Sequence, residues 1–169
     1  MTHLPSIIGW AHTVFGKSTA PDVAALMAEV IPAALASASV EAPDVDAVFV
    51  SVYNNGFSPQ GFEAGLVSVA EPRLVGTRAT RLENACASGS AAMFAACDFI
   101  ESGRGRVALV VGAEKMTAIP SGQAGEILLS GSLRSNHAGI GVPARPVVDR
   151  RVLGHSIEVE IPDLQRVTV

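Results

Sequence analysis

The sequence is poor in charged residues and lacks the features by which many proteins bind nucleic acids. Lys, Arg, Asp and Glu together make up 17% of the 169 residues, against about 25% in typical globular domains. The net charge is −4 and there is no extended run of Lys or Arg, so nucleic-acid binding through a phosphate-neutralising surface is not expected. The low charge predicts that another domain or subunit covers part of the surface.

Long apolar runs and cysteines are also scarce. No apolar stretch reaches the ~18 residues of a membrane-spanning helix, and residues 1–5 lack the basic start and apolar block of a signal peptide. A cytoplasmic protein without a membrane span is therefore expected. The only cysteines are Cys86 and Cys97. On one helix they would lie roughly 16 Å apart, beyond the ~7 Å reach of a disulfide, so both are predicted to be free thiols.

Residues 1–131 alternate between strand-like and helix-like patterns. The apolar run at 107–111 is typical of a strand buried on both faces of a parallel sheet, and Thr19 is the predicted cap of the first helix, which Pro32 should kink or loosen. The pattern predicts an α/β domain with a mixed, mostly parallel sheet and helices on both faces. The predicted strands are 6–10, 45–53, 76–82 and 107–111, and the predicted helices are 19–37, 61–70 and 86–102.

Residues 132–169 are predicted to be a divergent, poorly ordered tail. Their charges are scattered and interrupted by prolines, and only residues 156–161 have a strand-like pattern. No fold is predicted for this segment.

Cys86 is the candidate with the clearest chemical context. A strand brings it to the start of a helix, where the helix dipole and free backbone N–H groups favour a thiolate. The small residues after it leave room for a substrate. Two interpretations remain open from the residues alone, because Cys86 could be a nucleophile or a small buried packing residue. For Cys97, which lies within the helix among apolar residues, core packing is predicted.

Three segments resemble the thiolase superfamily. They are Asn-Ala-Cys-Ala-Ser-Gly-Ser at 84–90, Ser-Gly-Arg at 102–104, and the strand ending in Gly-Ala-Glu-Lys-Met-Thr at 109–117. The resemblance covers roughly residues 4–131 and is strongest to sterol-carrier-protein-type thiolases and thiolase-like acyl-CoA acetyltransferases. It implies that this chain corresponds to the N-terminal one of two similar α/β halves.

The resemblance also implies a chemistry. Cys86 would attack an acyl-CoA thioester and carry the acyl group covalently, while a nearby backbone N–H binds the developing oxyanion. The CoA thioester would be the substrate, and no separate cofactor or metal is implied. In this family the second half supplies a His that activates the Cys and another Cys that acts as acid and base. A homodimer or a thiolase-like partner subunit is therefore expected.

The sequence departs from the family pattern in several places. It contains no Asn-Glu-Ala-Phe, Gly-His-Pro or second Cys-x-Gly segment, and only the segment around His155 weakly resembles Gly-His-Pro. The C-terminal half of the fold is thus expected to be missing. Glu83 stands where many degradative thiolases carry Asn, which favours the thiolase-like branch. Glu114 and Lys115 are expected to shape the loop after the last strand.

Two functions follow as hypotheses. The first is a thiolase-type acyltransferase acting through Cys86, truncated and incomplete alone. The alternative is a non-catalytic or half-site subunit that completes a site with a partner chain. A generic nucleotide-binding domain is not favoured, because no Gly-x-Gly-x-x-Gly segment follows the first strand.

Overall fold

The chain folds as alternating strands and helices. The computed structural model describes residues 4–54, 56–58, 60–130 and 165–168, the last four by their backbone alone. The predicted order of the first seven elements is confirmed, and a further helix and strand follow. In chain order the elements are β1 (Pro5–Gly9), α1 (Val23–Ala38), β2 (Ala47–Val52), α2 (Glu63–Ala70), β3 (Arg78–Glu83), α3 (Ser88–Glu101), β4 (Val107–Gly112), α4 (Ser121–Ser130) and β5 (Gln165–Thr168).

The five strands form one sheet in the order β1-β5-β4-β2-β3, and every neighbouring pair is parallel. The register places Val52 beside Glu83 on one side and Ser51 beside Gly112 on the other. The C-terminal ends of β2, β3 and β4 therefore stop in line. The residues that follow these three strands meet at one end of the sheet, where α/β proteins commonly bind ligands.

Helices cover both faces of the sheet, which confirms the predicted α/β architecture. Val48 and Val50 of β2 pack in one core with α1 and α2. Their neighbours Ala47 and Phe49 point the opposite way and pack in a second core with α3. Because successive strand residues point to opposite faces, a strand between two helical layers is covered on both sides, and five of the six β2 residues are apolar. This explains why all six residues of β2 are buried.

The start of α1 differs from the prediction. Asp22 caps the helix, because its Oδ1 accepts a hydrogen bond of 2.8 Å from the N–H of Ala25. Thr19 lies too far before the first helical turn to reach those N–H groups. Pro32 is inside the helix, which continues to Ala38 and ends at Ser39 in the left-handed conformation. A proline removes one helical hydrogen bond, but the burial of seven α1 residues holds the helix together across it.

The last strand was not predicted from the sequence. β5 lies between β1 and β4, pairing with Val107–Leu109 of β4, so the sheet takes a strand from the C-terminal tail. The strand-like run at 156–161 lies outside the described residues, as does the rest of the expected tail, 132–169, apart from β5. No helix in the described part of the chain has the length and apolar character needed to cross a membrane.

Candidate functional site

Cys86 lies in a short 3-10 turn, Ala85–Ala87, between the end of β3 and the first residue of α3. Its side chain is exposed. The structure thus places the thiol where the sequence predicted it, at the end of the sheet and at the N-terminal end of a helix. The first backbone N–H groups of a helix have no partners within that helix, so they are available to an anionic group near Cys86.

The turn that carries Cys86 is strained and is held by one hydroxyl. Ala85 has a left-handed φ of 45°, which costs an L-residue roughly 1–2 kcal/mol. The buried Ser88 accepts a hydrogen bond of 2.7 Å from the N–H of Asn84. Its Oγ also donates one of 2.8 Å to the carbonyl oxygen of Ala85. Strain of this kind persists only where neighbouring contacts enforce it, and Ser88 supplies those contacts.

A cavity of about 380 Å³ lies beside Cys86. Its walls come from the ends of β2, β3 and β4 and from α4, which explains why residues far apart in sequence meet there. The larger side chains that line it with Cys86 are Tyr53, Phe57, Glu114, Met116 and Leu128. Most of this lining is apolar and can contact the hydrocarbon part of an acyl group.

Glu114 is the charged residue of this cavity. Its Oε2 accepts a hydrogen bond of 2.7 Å from the N–H of Tyr53. Burial raises the pKa of the Glu114 carboxyl and is the largest influence on it; the Tyr53 N–H opposes this rise, and the charges of Glu63 and Glu83 add to it. The carboxyl therefore ties the end of β4 to the end of β2 and holds its proton to higher pH than an exposed Glu.

Lys115 and Tyr53 fix the same region to the rest of the molecule. Lys115 Nζ donates a hydrogen bond of 2.9 Å to the carbonyl oxygen of Ser18. The Tyr53 hydroxyl donates one of 2.5 Å to the carbonyl oxygen of Leu128, and its ring packs edge-on against Phe57. Glu114 and Lys115 both bond to backbone groups, as expected of residues that shape the loop after β4.

A group of ion pairs lies next to the site. Arg81 of β3 contacts the carboxylate of Glu63 at 3.0 Å and also pairs with Glu83. Glu63 is almost completely buried at the first residue of α2. Removing one partner of a buried ion pair leaves an uncompensated charge, so this pair fixes α2 against β3.

The other residues considered from the sequence do not join the Cys86 cavity. Cys97 is a half-buried free thiol, and burial, followed by the charges of Glu101 and Asp98, raises its pKa. That is the behaviour of a packing residue. His12 is exposed in the loop after β1 and stacks on Trp10. His3, His137 and His155 lie outside the described residues.

The sequence analysis assigned no site role to Tyr53, Phe57, Ser88 or Leu128, although Ser88 lies in the segment 84–90 that resembles the thiolases. Tyr53 could have been found, since it directly follows a buried strand that runs parallel to the one before Cys86. Leu128 could not, because the sequence analysis predicted no helix there.

Comparison with known proteins identifies the family of this chain. The family model described as the N-terminal domain of thiolase matches residues 6–142. A curated acetyl-CoA acetyltransferase from Methanocaldococcus jannaschii is 35% identical over 115 residues, which are 68% of this chain and 29% of that protein. The chain thus matches less than a third of the length of this relative. Because the family model covers most of the sequence, this chain belongs to the thiolase family, through the N-terminal domain of that family.

Proposed function

We propose that Cys86 accepts an acyl group from an acyl-CoA thioester, as expected of a thiolase-type acyltransferase. The observation that carries the proposal is the exposed thiol in a strained turn at the N-terminal end of α3, beside a largely apolar cavity. The thiolate sulfur attacks the thioester carbonyl carbon and forms a new carbon–sulfur bond. The bond to the CoA sulfur then breaks, and CoA leaves with the proton that Cys86 gave up.

The chain's own residues support this step in two ways. The apolar lining of the cavity can contact the acyl group, and backbone N–H groups near Cys86 can bind the oxyanion that forms on the carbonyl oxygen. Such donors usually contribute the largest part of catalysis in acyl transfer. We propose that the CoA thioester is the substrate and that no separate cofactor takes part.

Turnover requires groups that the described part of the chain does not bring to Cys86. A nucleophilic Cys works best with a base within hydrogen-bond reach, and no His is among the residues that line the Cys86 cavity within the described part of the chain. We propose that a thiolase-like second half or partner chain supplies this base. Acylation of Cys86 should therefore occur, while multiple turnovers by this chain alone should be slow.

The alternative, a half-site subunit, is supported by exposed apolar side chains. Val14, Phe15 and Phe94 are at least 70% exposed, and large apolar patches on a protein surface mark interaction sites. A second copy is a further candidate partner. Among the described strands β3 lies at one edge of the sheet, next to β2, and an unpaired strand edge can pair with another chain. Light scattering tests the homodimer, because a homodimer has twice the mass of the chain. A monomer at all concentrations would contradict it.

Acylation can be tested by intact mass spectrometry. Incubation with acetyl-CoA should add one acetyl group to the unmodified chain and to Cys97→Ala, but none to Cys86→Ala. The Cys97 variant is the matched control, since it removes the other thiol and keeps Cys86. Absence of an adduct, or an adduct that survives Cys86→Ala, would refute the proposal.

A further inference from the structure

Helix α4 is weakly attached to the rest of the molecule. It is ten residues long and none of its residues is buried, so no fully buried side chain anchors it to a core. An isolated helix of this length is marginal in water. The two glycines that α4 contains, Gly122 and Gly125, lower its helical propensity further. The helix therefore depends on a small number of contacts with its neighbours.

Two side chains from the loop after β2 supply such contacts at the C-terminal end of α4. The last four carbonyl groups of a helix have no hydrogen-bond partner within it. The Tyr53 hydroxyl donates a hydrogen bond of 2.5 Å to the carbonyl oxygen of Leu128. The Asn54 amide nitrogen donates one of 3.4 Å to the carbonyl oxygen of Ile127 and one of 3.1 Å to Ser130 Oγ. We call these three hydrogen bonds the latch of α4.

The latch joins α4 to the wall of the Cys86 cavity. Tyr53 and Leu128, which it connects, both line that cavity. The loop after β2 also contacts α4 directly, since a Cβ built on Gly56 would lie 2.5 Å from Cγ2 of Ile127. Breaking the latch would therefore release Leu128 from the cavity wall and widen the approach to the thiol.

We propose that α4 is a lid on the Cys86 cavity, which opens when the latch breaks and closes when the latch forms. Elements that move in this way belong to the least stable parts of a fold, because they must open at a small cost in free energy. Lids of this kind control entry to a site and exclude water from it. The structure has the latch formed and so shows the closed lid. This inference goes beyond acyl transfer, since the lid would act on any large molecule that approaches the thiol.

Two variants weaken the closed lid in different ways. Tyr53→Phe removes the hydroxyl of the latch and keeps the ring in the cavity wall. Gly56→Ala places a methyl group against α4 and leaves the Tyr53 hydroxyl unchanged. Gly61→Ala is its matched control, because Gly61 lies in the same loop and a Cβ there meets no atom within 4 Å. Ser102→Ala is the control for Tyr53→Phe, since it removes a side-chain hydrogen bond to a carbonyl oxygen in the last turn of α3.

Hydrogen exchange followed by mass spectrometry measures the opening of α4. In the unmodified chain the amides of residues 124–130 should exchange faster than those in the middle of α3. Tyr53→Phe should make them exchange about fivefold faster again, which is the change in the opening equilibrium expected for one hydrogen bond. Gly56→Ala should act in the same direction, and the two controls should leave α4 unchanged. Unchanged protection of β2 and β4 shows that each variant is folded.

Alkylation measures access to the thiol, in chains that also carry Cys97→Ala so that Cys86 is the only cysteine. The rate constants for iodoacetamide and for the larger N-pyrenylmaleimide are compared by mass spectrometry. In Tyr53→Phe and Gly56→Ala the pyrenylmaleimide rate should rise by about fivefold, in proportion to the open population. The iodoacetamide rate should stay as in the chain with Cys97→Ala alone.

Two results would overturn the inference. One is protection of α4 as strong as that of α3 in the unmodified chain. The other is an unchanged ratio of the two alkylation rates in both variants, even where α4 exchanges faster, because α4 would then not control access. Neither measurement uses a CoA thioester, so the lid and the acyl transfer can fail independently of each other.

Discussion

At the scale of single residues, the hydroxyl of Ser88 determines where the Cys86 thiol lies. It is buried, bonds to Asn84 and Ala85 at the same time, and so closes the turn in which Ala85 takes its unfavourable φ. A nucleophile must be placed to within a fraction of an ångström for an efficient attack. Ser88 is thus a positioning residue, since it acts on the thiol through the backbone.

Replacing Ser88 by Ala should destabilise the fold and slow acylation. The N–H of Asn84 loses the acceptor of a part-buried hydrogen bond, which costs about 1 kcal/mol, and the turn loosens. Ser102→Ala is the control, because it removes a similar bond, from Ser102 Oγ to the carbonyl oxygen of Phe99, at the far end of α3. Urea unfolding and Cys86 acylation by acetyl-CoA should both change in Ser88→Ala, whereas Ser102→Ala should leave acylation unchanged. Equal acylation rates in Ser88→Ala and the unmodified chain would argue against a positioning role for Ser88.

Glu114 makes the stability depend on pH in a predictable direction. Burial raises the pKa of its carboxyl above the ordinary value of 4.5. The fold therefore favours the protonated form, and this contribution is complete below the unfolded pKa and is lost as the pH rises through the folded pKa. As the pH is raised from 4 to 7, the free energy of unfolding should therefore fall less in Glu114→Gln than in the unmodified chain. Chemical unfolding at a series of pH values measures this difference.

Glu71 serves as a control, because its pKa is shifted in the opposite direction to that of Glu114. The side-chain hydrogen bond from Arg73 lowers the pKa of Glu71, so its contribution is present above the unfolded pKa and is lost as the pH falls through the folded pKa. Glu71→Gln should therefore reduce the loss of stability on acidification. If Glu71→Gln and Glu114→Gln changed the pH dependence of the free energy of unfolding in the same direction, the two carboxyls would not act as described.

At the scale of elements, the N-terminal cap of α1 can be tested directly, because the structure has Asp22 as the cap where the sequence predicted Thr19. Asp22→Ala removes the acceptor of the Ala25 N–H and should lower the free energy of unfolding by about 1 kcal/mol. Thr19→Ala should have little effect, since Thr19 lies outside the helix. Thermal or urea unfolding of the two variants decides between the caps, and a larger effect at Thr19 would restore the original prediction.

Most elements could be predicted because their residues carry a strong local pattern. The apolar runs of β2 and β4 and the helical spacing in α1 determine these elements almost independently of their surroundings. By contrast, Gln165–Thr168 has no such pattern, and it becomes a strand only because β1 and β4 leave a place between them. Where tertiary contacts decide the conformation, local propensity is a poor guide.

At the scale of the whole molecule, the position of Cys86 followed from the sequence but the composition of its cavity did not. Glu114 and Tyr53 are 61 positions apart in the chain, and only the register of β2 with β4 brings them together. The order of the strands was likewise not predicted, since the alternating pattern does not specify which strands are neighbours in the sheet. These pairings decide which side chains surround the thiol.

Deletion of residues 165–169 should separate β1 from the rest of the sheet, because β5 is the neighbour that joins β1 to β4. Backbone amides of Pro5–Gly9 that bond to β5 should then exchange hydrogen faster, while those of β2 and β4 should keep their protection. Hydrogen exchange followed by mass spectrometry measures both groups at once. Unchanged protection at residues 6–9 would show that β5 does not hold β1.

The placement of β5 also orders events during synthesis. A ribosome releases β2, β3, β4 and their helices well before Gln165–Thr168, so these parts can associate while translation continues. β1 is made first but gains β5, its neighbour among the described strands, only after Thr168 has been made. During that interval the backbone of residues 5–9 is open to wrong pairing, and a chaperone that shields it would improve the yield of folded protein.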